Sequence, residues 1–365
     1  MDNKKNKIRI GITQGDTNGI GLEVVLKTLA VPEMLDLCTP IVYGNPRVIA
    51  YHRKGLNLGN LQLTTIADAS RAKDSMASVV ECDNTDVKVD MGQPSKQAGR
   101  AAFLSLEAAT RDLKDGKIDV MVTAPINKDN IHSEEFAFPG HTEYLEAAAG
   151  DGAKALMVMV CEQMRVALVT THVPIAQVPA MLTVDLILEK LRTFAASLQR
   201  DFGCLQPRIA VLSLNPHAGE NGLLGTEERD IIGPAIEQAR DEGITCFGPY
   251  ASDGFFGSRM YDHFDGILAM YHDQGLAPFK TVAMDSGVNF TAGLPIVRTS
   301  PDHGTGYDIA GQGIANEASM RHAIYTAIDI WRNRARWDEA HANPLGRLYV
   351  DHSKDNVVLD LTKDA

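Results

Sequence analysis

The stretch QAGRAAFLSLEAATRDLKDGKIDVMVT, residues 97–123, decides the fold class. Its first part, residues 97–114, carries apolar side chains at helical spacing, which predicts a long amphipathic helix. Residues 118–123 then form a largely apolar run, as expected of a parallel strand that is buried on both faces. The stretch therefore predicts one helix–strand unit of an α/β fold.

The same alternation continues on both sides of this unit. Strand-like runs end in Gly, Pro, Asn or His, and amphipathic helical stretches follow them. The predicted strands are residues 8–13, 41–44, 155–160, 166–170, 209–214 and 266–270, and the predicted helices are residues 21–30, 184–198, 227–239 and 316–335. Strands that alternate with helices favour an α/β/α arrangement around a mostly parallel sheet.

The length of the chain, 365 residues, fits two domains better than one. The segment FAFPGHT, residues 136–142, contains Pro and Gly and is the predicted crossover, and a second crossing is predicted near residues 293–298. These crossings predict a first domain of residues 1–135 plus 295–365 and a second domain of residues 136–294.

Composition and charge restrict the partners and the compartment. Hydrophobic residues make up 44% of the chain and the formal net charge is −12, so its surface repels nucleic acid and anionic membranes. The N-terminus lacks the apolar segment of a signal peptide, and no apolar run approaches the ~20 residues of a membrane span. Five cysteines without a CxxC pair are typical of reduced thiols in the cytosol. We therefore expect a cytoplasmic protein with no nucleic acid and no membrane among its partners.

Three histidines each follow a predicted strand. His172 follows VALVTT, His217 follows IAVLSLNP and His272 follows GILAMY. The C-terminal ends of parallel strands share one edge of the sheet, where ligands bind, and three imidazoles there suit a divalent metal such as zinc. Three separate loop histidines are the alternative. Asp253 and Asp273 are candidates to orient such ligands, with a helix cap or a turn as the alternative.

A short region carries groups that suit an anion. Lys280, Asn289 and Arg298 combine two cations with an amide, which fits a phosphate, although each alone is typical of a solvated surface. His141 and Thr142 open a helix-like stretch, in which Thr142 is a candidate cap and free backbone N–H groups favour an anion. In an acidic chain, these residues predict a local phosphate pocket.

Two glycine-rich loops precede predicted helices. The first, GDTNGIGLE at residues 15–23, matches neither GxGxxG nor a Walker loop, and a tight turn accounts for it. The second, HGTGYDIAGQG at residues 303–313, either wraps a nucleotide or only turns the chain. For the second loop, the residues by themselves do not decide between nucleotide binding and a simple turn.

Taken together, eight stretches resemble one family, the 4-hydroxythreonine-4-phosphate dehydrogenases of pyridoxine biosynthesis. They are GITQGDTNGIGLEV, VTAPINK, FPGHTEYL, VALVTTHVPI, LNPHAGENGLLGTEE, GPYASDGFF, AMYHDQGLAPFK and GLPIVRTSPDHGTGYDIAGQG. The wider superfamily is similar to isocitrate and isopropylmalate dehydrogenases, whose GDGIG loop and HGSAPDIAG cofactor loop resemble residues 15–21 and 303–311. Pro301, Gly306 and Tyr307 differ from the residues that are usual in that cofactor loop.

The resemblance implies a two-domain α/β/α fold like that of isocitrate and isopropylmalate dehydrogenases, with the site in a cleft between the domains. It also implies a homodimer whose subunits complete each other's sites. The family's functional residues fall on metal ligands His172, His217 and His272 and on substrate contacts His141, Thr142, Lys280, Asn289 and Arg298. The similar cofactor loop makes His303, Gly304 and Asp308 the candidate cofactor contacts. Asp253 and Asp273 are the candidate catalytic carboxylates, and a metal-bound water or a lysine remains an alternative base.

The activity that the resemblance implies is NAD-dependent oxidation of 4-phosphooxy-L-threonine to 2-amino-3-oxo-4-phosphooxybutanoate. That product decarboxylates to 3-amino-2-oxopropyl phosphate, in pyridoxal 5'-phosphate biosynthesis. The expected cofactors are NAD, with NADP as the alternative, and a divalent metal, with zinc favoured over magnesium or cobalt. A dehydrogenase for 4-phospho-D-threonate or 4-phospho-D-erythronate, and a metal-bound sugar-phosphate binding module without turnover, remain the alternatives.

Overall fold

The computed structural model describes residues 7–150 and 152–343 of the chain. The parts of the predicted domains that fall on residues 1–6, 151 and 344–365 lie outside the described residues. The strands are β1 (Arg9–Thr13), β2 (Thr39–Gly44), β3 (Leu63–Ile66), β4 (Ala77–Glu81), β5 (Val120–Val122), β6 (Leu156–Val160), β7 (Arg165–Leu168), β8 (Ile209–Leu212), β9 (Cys246–Tyr250), β10 (Gly266–Ala269), β11 (Val288–Ala292) and β12 (Arg298–Pro301).

Helices cover both faces of these strands and differ widely in length. They are α1 (Gly21–Leu29), α2 (Met34–Leu37), α3 (Pro46–Gly55), α4 (Lys96–Lys114), α5 (Lys128–Ile131), α6 (His141–Ala149), α7 (Val178–Met181), α8 (Val184–Arg200), α9 (Gly233–Asp241), α10 (Ser252–Gly257), α11 (His272–Ala283) and α12 (Ala318–His341). Among residues 7–150 and 152–343, no helix combines the length and the apolar character that a membrane crossing requires.

One sheet runs through the described part of the chain, in the order β3-β4-β2-β1-β5-β12-β11-β6-β7-β10-β8-β9. Eight of its eleven strand pairs are parallel. The three antiparallel pairs lie together at the centre, where β12, β11, β6 and β7 are neighbours. The predicted α/β fold with a mostly parallel sheet is therefore confirmed.

The strand order supports the two-part division, which we keep as a proposal. Strands β1 to β5 and β12 occupy one half of the sheet, and strands β6 to β11 occupy the other. The chain passes from one half to the other after β5 and returns between β11 and β12. The proposed boundaries at residues 135/136 and 294/295 fall within these two passages.

Helix α4 and strand β5, the helix–strand unit of residues 97–123, also position α5 at the centre of the sheet. Ser95 begins α4 by accepting a hydrogen bond from the Ala98 backbone N–H at 3.1 Å. Asn127 begins α5 by accepting bonds from the backbone N–H groups of the next turn. Gly99 lets the two helices touch, since a Cβ there would lie 2.1 Å from the Asn130 carbonyl oxygen. Helix α5 is thereby fixed directly after β5.

Candidate active site

A cavity of about 340 Å³ opens at the centre of the sheet, between the two groups of strands. Strands β6, β11 and β12, the segment of residues 123–126 that follows β5, the first turn of α6 and one side of α11 contribute to its walls. Nine predicted site residues line it, namely His141, Thr142, His172, His272, Lys280, Asn289, Arg298, His303 and Gly304. We call this cavity the cleft. The other four predicted residues, His217, Asp253, Asp273 and Asp308, do not line it.

Arg298 is the strongest anion-binding group of the cleft. It begins β12 and is only 3% exposed. Its guanidinium donates three hydrogen bonds, two to the Thr123 hydroxyl and one to the Thr291 hydroxyl. A guanidinium has five N–H donors, so two remain for a ligand. No carboxylate pairs with Arg298 in the described residues, and burial lowers the pKa of its guanidinium to about 9.

Three more polar atoms of the cleft are buried without a hydrogen-bond partner among the described residues. They are His141 Nε2, Asn289 Oδ1 and His303 Nε2. Such atoms are rare in folded proteins, because leaving a buried polar group unpaired costs free energy. Three of them around one cavity, beside an unpaired cation, indicate that the cleft is built for a polar, anionic ligand.

The N-terminus of α6 adds backbone donors to this cluster. The helix starts at His141, and its cap residue is Gly140, which makes no side-chain capping bond. Thr142 lies inside the first turn, so the prediction that it caps the helix was wrong. An uncapped helix start leaves backbone N–H groups free for an anion. Burial, followed by Arg298 and Lys128, holds the pKa of His141 well below its usual range, so its ring is neutral at neutral pH.

Lys280 reaches the cleft from α11 but is already paired. Its Nζ lies 3.2 Å from Asp302 Oδ1 and donates to the Asp302 carbonyl oxygen at 3.3 Å. Asp302 also lines the cleft, and burial raises the pKa of its carboxyl while Lys280 opposes that shift. A ligand phosphate that binds Lys280 therefore competes with the Asp302 carboxylate.

Two of the three predicted metal ligands face each other across the cleft. The ring centroids of His172 and His272 are 5.8 Å apart. The Nδ1 of His272 is hydrogen-bonded to Asp273 Oδ1 at 2.7 Å, which leaves its Nε2 free for a metal. Lys128 Nζ lies 3.3 Å from His172 Nε2. Burial, followed by the Lys128 charge, lowers the pKa of His172 and keeps its ring in the neutral, metal-binding form.

His217 follows β8 on an unusual backbone. Residues 217–221 all have left-handed φ angles between 44° and 78°, although only one of them is glycine. Non-glycine residues rarely adopt this conformation, and strained segments of this kind cluster at functional sites. The Glu228 carboxylate stabilises the turn by accepting hydrogen bonds from the backbone N–H groups of Leu214 and Asn215.

The described residues of one chain do not complete a metal site. Across residues 7–150 and 152–343, no three His, Cys, Asp or Glu side chains come together as ligands. His217 and the exposed Asp253 of α10 follow β8 and β9, two strands that are neighbours in the sheet. Gln274, two residues after His272, donates hydrogen bonds to the Ser213 carbonyl and to the Ser252 hydroxyl, and so ties both loops to α11.

Sequence reasoning missed several residues of the cleft. Lys128, Glu143 and Asp302 all line it. Lys128 ends the VTAPINK stretch and Asp302 precedes HGTG, and no local sequence pattern indicated a function for either residue. Their significance comes from contacts with His172 and Lys280, which are far away in sequence.

Comparisons with known proteins agree with this geometry. A family model described as pyridoxal phosphate biosynthetic protein PdxA matches residues 36–327. A 4-hydroxythreonine-4-phosphate dehydrogenase from Bacteroides thetaiotaomicron is 57% identical over 98% of this chain and 98% of its own. One from a Sulfurihydrogenibium species is 38% identical over 90% of this chain and 99% of its own.

Solved structures match along the same length. The crystal structure of a 4-hydroxythreonine-4-phosphate dehydrogenase from Klebsiella pneumoniae has a TM-score of 0.75 and 36% identity, over 90% of this chain and 99% of that one. The one from Burkholderia phymatum has a TM-score of 0.73 and 37% identity, over 89% and 99%. With a family model that covers most of its residues and close relatives along nearly its whole length, this chain belongs to the PdxA family of pyridoxal phosphate biosynthetic proteins.

Proposed function

We propose that this protein oxidises 4-phosphooxy-L-threonine with NAD to 2-amino-3-oxo-4-phosphooxybutanoate. The product then loses CO2 to give 3-amino-2-oxopropyl phosphate, in pyridoxal 5'-phosphate biosynthesis. The observation that carries the proposal is the buried Arg298 guanidinium, which has two unused donors and makes no salt bridge among the described residues, although the more distant Glu143 favours its charged form. An unpaired buried cation is costly, and a dianionic phosphate group compensates it.

The substrate phosphate is proposed to bind at the Arg298 end of the cleft. Arg298, Lys280, Asn289 and the first turn of α6 at His141 and Thr142 all line the cleft. These contacts form away from the carbon that is oxidised. They therefore supply remote binding energy and fix the position of the reacting hydroxyl.

A divalent metal is proposed to bind His172 and His272 together with His217 of a second copy of the chain. Zinc is favoured by the imidazole ligands, with magnesium or cobalt as alternatives. Held there, the ion would supply Lewis-acid chemistry at the substrate's hydroxyl and keto oxygens. The orientation of His272 by Asp273 suits this role. We propose a homodimer because His217 does not line the cleft of its own chain.

Further residues of this chain are proposed to contact the dinucleotide and to complete the reacting centre. His303 and Gly304 line the cleft and are proposed to contact the nicotinamide end of NAD, or of NADP. Asp308 is exposed outside the cleft and suits the more distant part of the dinucleotide. Asp253 is exposed on α10, and we propose that it serves as a catalytic carboxylate in the cleft of the second subunit together with His217.

A substrate panel tests this assignment. Initial rates of NAD reduction are measured with 4-phosphooxy-L-threonine, 4-phospho-D-threonate and 4-phospho-D-erythronate, with zinc present. We expect the highest kcat/KM for 4-phosphooxy-L-threonine, because zinc binds its amino nitrogen more readily than the hydroxyl that the two sugar-acid phosphates carry at that carbon. A higher kcat/KM for either sugar-acid phosphate would assign the sister reaction instead. No reduction with any of the three would reject the dehydrogenase.

A further inference from the structure

Asp16 is a buried carboxylate in the loop between β1 and α1. It is 1% exposed and takes part in no salt bridge within the described residues. Three hydrogen bonds satisfy it instead, from the Asn18 backbone N–H at 2.9 Å, from Asn130 Nδ2 at 2.7 Å and from the Tyr307 hydroxyl at 2.8 Å. Hydrogen bonds to an ionised acceptor are stronger than neutral ones.

These three bonds join three separate segments of the chain. Asp16 and Asn18 belong to the first glycine-rich loop, Asn130 to α5 and Tyr307 to the second glycine-rich loop, residues 303–313. Lys128 on α5 lines the cleft, and so do His303 and Gly304 at the start of the second loop. The Tyr307–Asp16–Asn130 cluster therefore lies behind two walls of the cleft and connects them.

Backbone contacts hold the same loop against the first one. The Ile20 N–H donates to the Thr305 carbonyl at 2.8 Å. Gly92 closes over Tyr307, since a Cβ at Gly92 would lie 2.7 Å from the Tyr307 carbonyl oxygen. Burial, followed by the bond to Asp16, raises the pKa of Tyr307, so its hydroxyl keeps the proton that it donates. Within this loop, Tyr307 is thus the side chain that reaches the buried carboxylate.

We propose that Tyr307 is a positioning residue for the dinucleotide, because its hydroxyl, anchored on Asp16, holds residues 303–308 in the shape that binds NAD. This inference rests on the proposed role of that loop in cofactor binding. A loop that is already ordered loses less conformational entropy when a ligand binds, and losing its anchor weakens binding without removing any contact to the ligand.

The variant Tyr307→Phe removes only the hydroxyl. NADH binding is measured by titration calorimetry with zinc and inorganic phosphate present, and thermal denaturation checks the fold. We expect NADH affinity to fall about tenfold, in line with one lost hydrogen bond to a charged group. The rise in Tm caused by inorganic phosphate alone should stay as in the wild type, since Tyr307 is outside the cleft. The matched control is Tyr325→Phe on α12, another half-buried tyrosine, which should bind NADH normally.

A second variant separates an anchoring role from a local packing defect. Asp16→Asn should weaken NADH binding in the same direction, and adding Tyr307→Phe to it should weaken binding by much less than tenfold, because the partner is already altered. If Tyr307→Phe does not fold, Asn130→Ala, which removes the other donor to the same oxygen, takes its place, with an expected loss of about threefold.

The outcomes separate this inference from the proposed function. A wild-type protein that binds no NADH would reject the cofactor assignment, and the inference with it. If a folded Tyr307→Phe or Asn130→Ala variant binds NADH as tightly as the wild type does, the anchoring role alone is overturned. A parallel loss of phosphate response in Tyr307→Phe would also overturn it, because the effect would then not be confined to the dinucleotide.

Discussion

Replacing Arg298 with Met should lower kcat/KM for a phosphorylated substrate by about thirtyfold to several thousandfold. Arg298 is the buried cation of the cleft, and two of its donors remain for the phosphate. Truncating one partner of a buried, hydrogen-bonded charge pair costs on the order of 2–5 kcal/mol, and each 1.4 kcal/mol is a factor of ten. Steady-state kinetics over a wide substrate range measure the loss, which should appear as a higher KM together with a lower kcat, because the phosphate contacts also position the reacting hydroxyl.

Thermal denaturation provides an independent measurement on the same variant. Inorganic phosphate should raise the Tm of the wild type, since a ligand that binds only the folded state stabilises it. The Arg298→Met variant should lose this response, whereas its ligand-free Tm combines the removal of a desolvated charge with the loss of the bonds to Thr123 and Thr291. Arg192→Met, which breaks an exposed pair with Glu242, is the control. A folded Arg298→Met enzyme with wild-type KM and phosphate response would contradict the phosphate assignment.

Mixing two inactive variants should restore activity when the two substituted residues are contributed to one site by different subunits. Lys280 lines the cleft of its own chain, whereas His217 does not. We therefore expect His217→Asn mixed with Lys280→Met to regain activity, up to about a quarter of wild type, because half of the dimers are mixed and each has one intact site. Asn suits position 217 because it tolerates the left-handed φ of 53°.

The control pair carries both lesions within one cleft. His172 and Lys280 line the same cavity of the same chain, so His172→Ala mixed with Lys280→Met should stay inactive. Co-expression with two affinity tags allows the mixed dimers to be isolated and assayed. Recovery in the control pair, no recovery in the first pair, or a fully active monomer in sizing measurements would reject the shared site.

The sequence predicted the elements whose pattern is local. Helix α4 was predicted as residues 97–114 and runs Lys96–Lys114, and β1 was predicted as residues 8–13 and runs Arg9–Thr13. Both carry a regular apolar pattern that burial imposes on one stretch of chain. Strand β3 escaped prediction because this LTTI segment at the edge of the sheet buries none of its four residues fully.

The centre of the site was harder to predict for a different reason. From the sequence, Arg298 was proposed as a phosphate contact and placed at the end of a crossing between domains, residues 293–298. In the structure, Arg298 is the first residue of strand β12. Strand β12 pairs antiparallel with β11 and parallel with β5, and pairing between distant segments leaves no periodicity in either. The contacts of Asp302 with Lys280 and of Tyr307 with Asp16 are non-local in the same way.

The most direct test of the central claim follows both products of one reaction. Purified wild-type protein is incubated with zinc, NAD and 4-phosphooxy-L-threonine, NADH is followed by its near-ultraviolet absorbance, and released CO2 is trapped and counted. Oxidation followed by decarboxylation of the 3-keto acid predicts NADH formation with about one CO2 for each NADH. The Arg298→Met variant should form both far more slowly. NAD reduction no faster in the wild type than in a His172→Ala control would contradict the account.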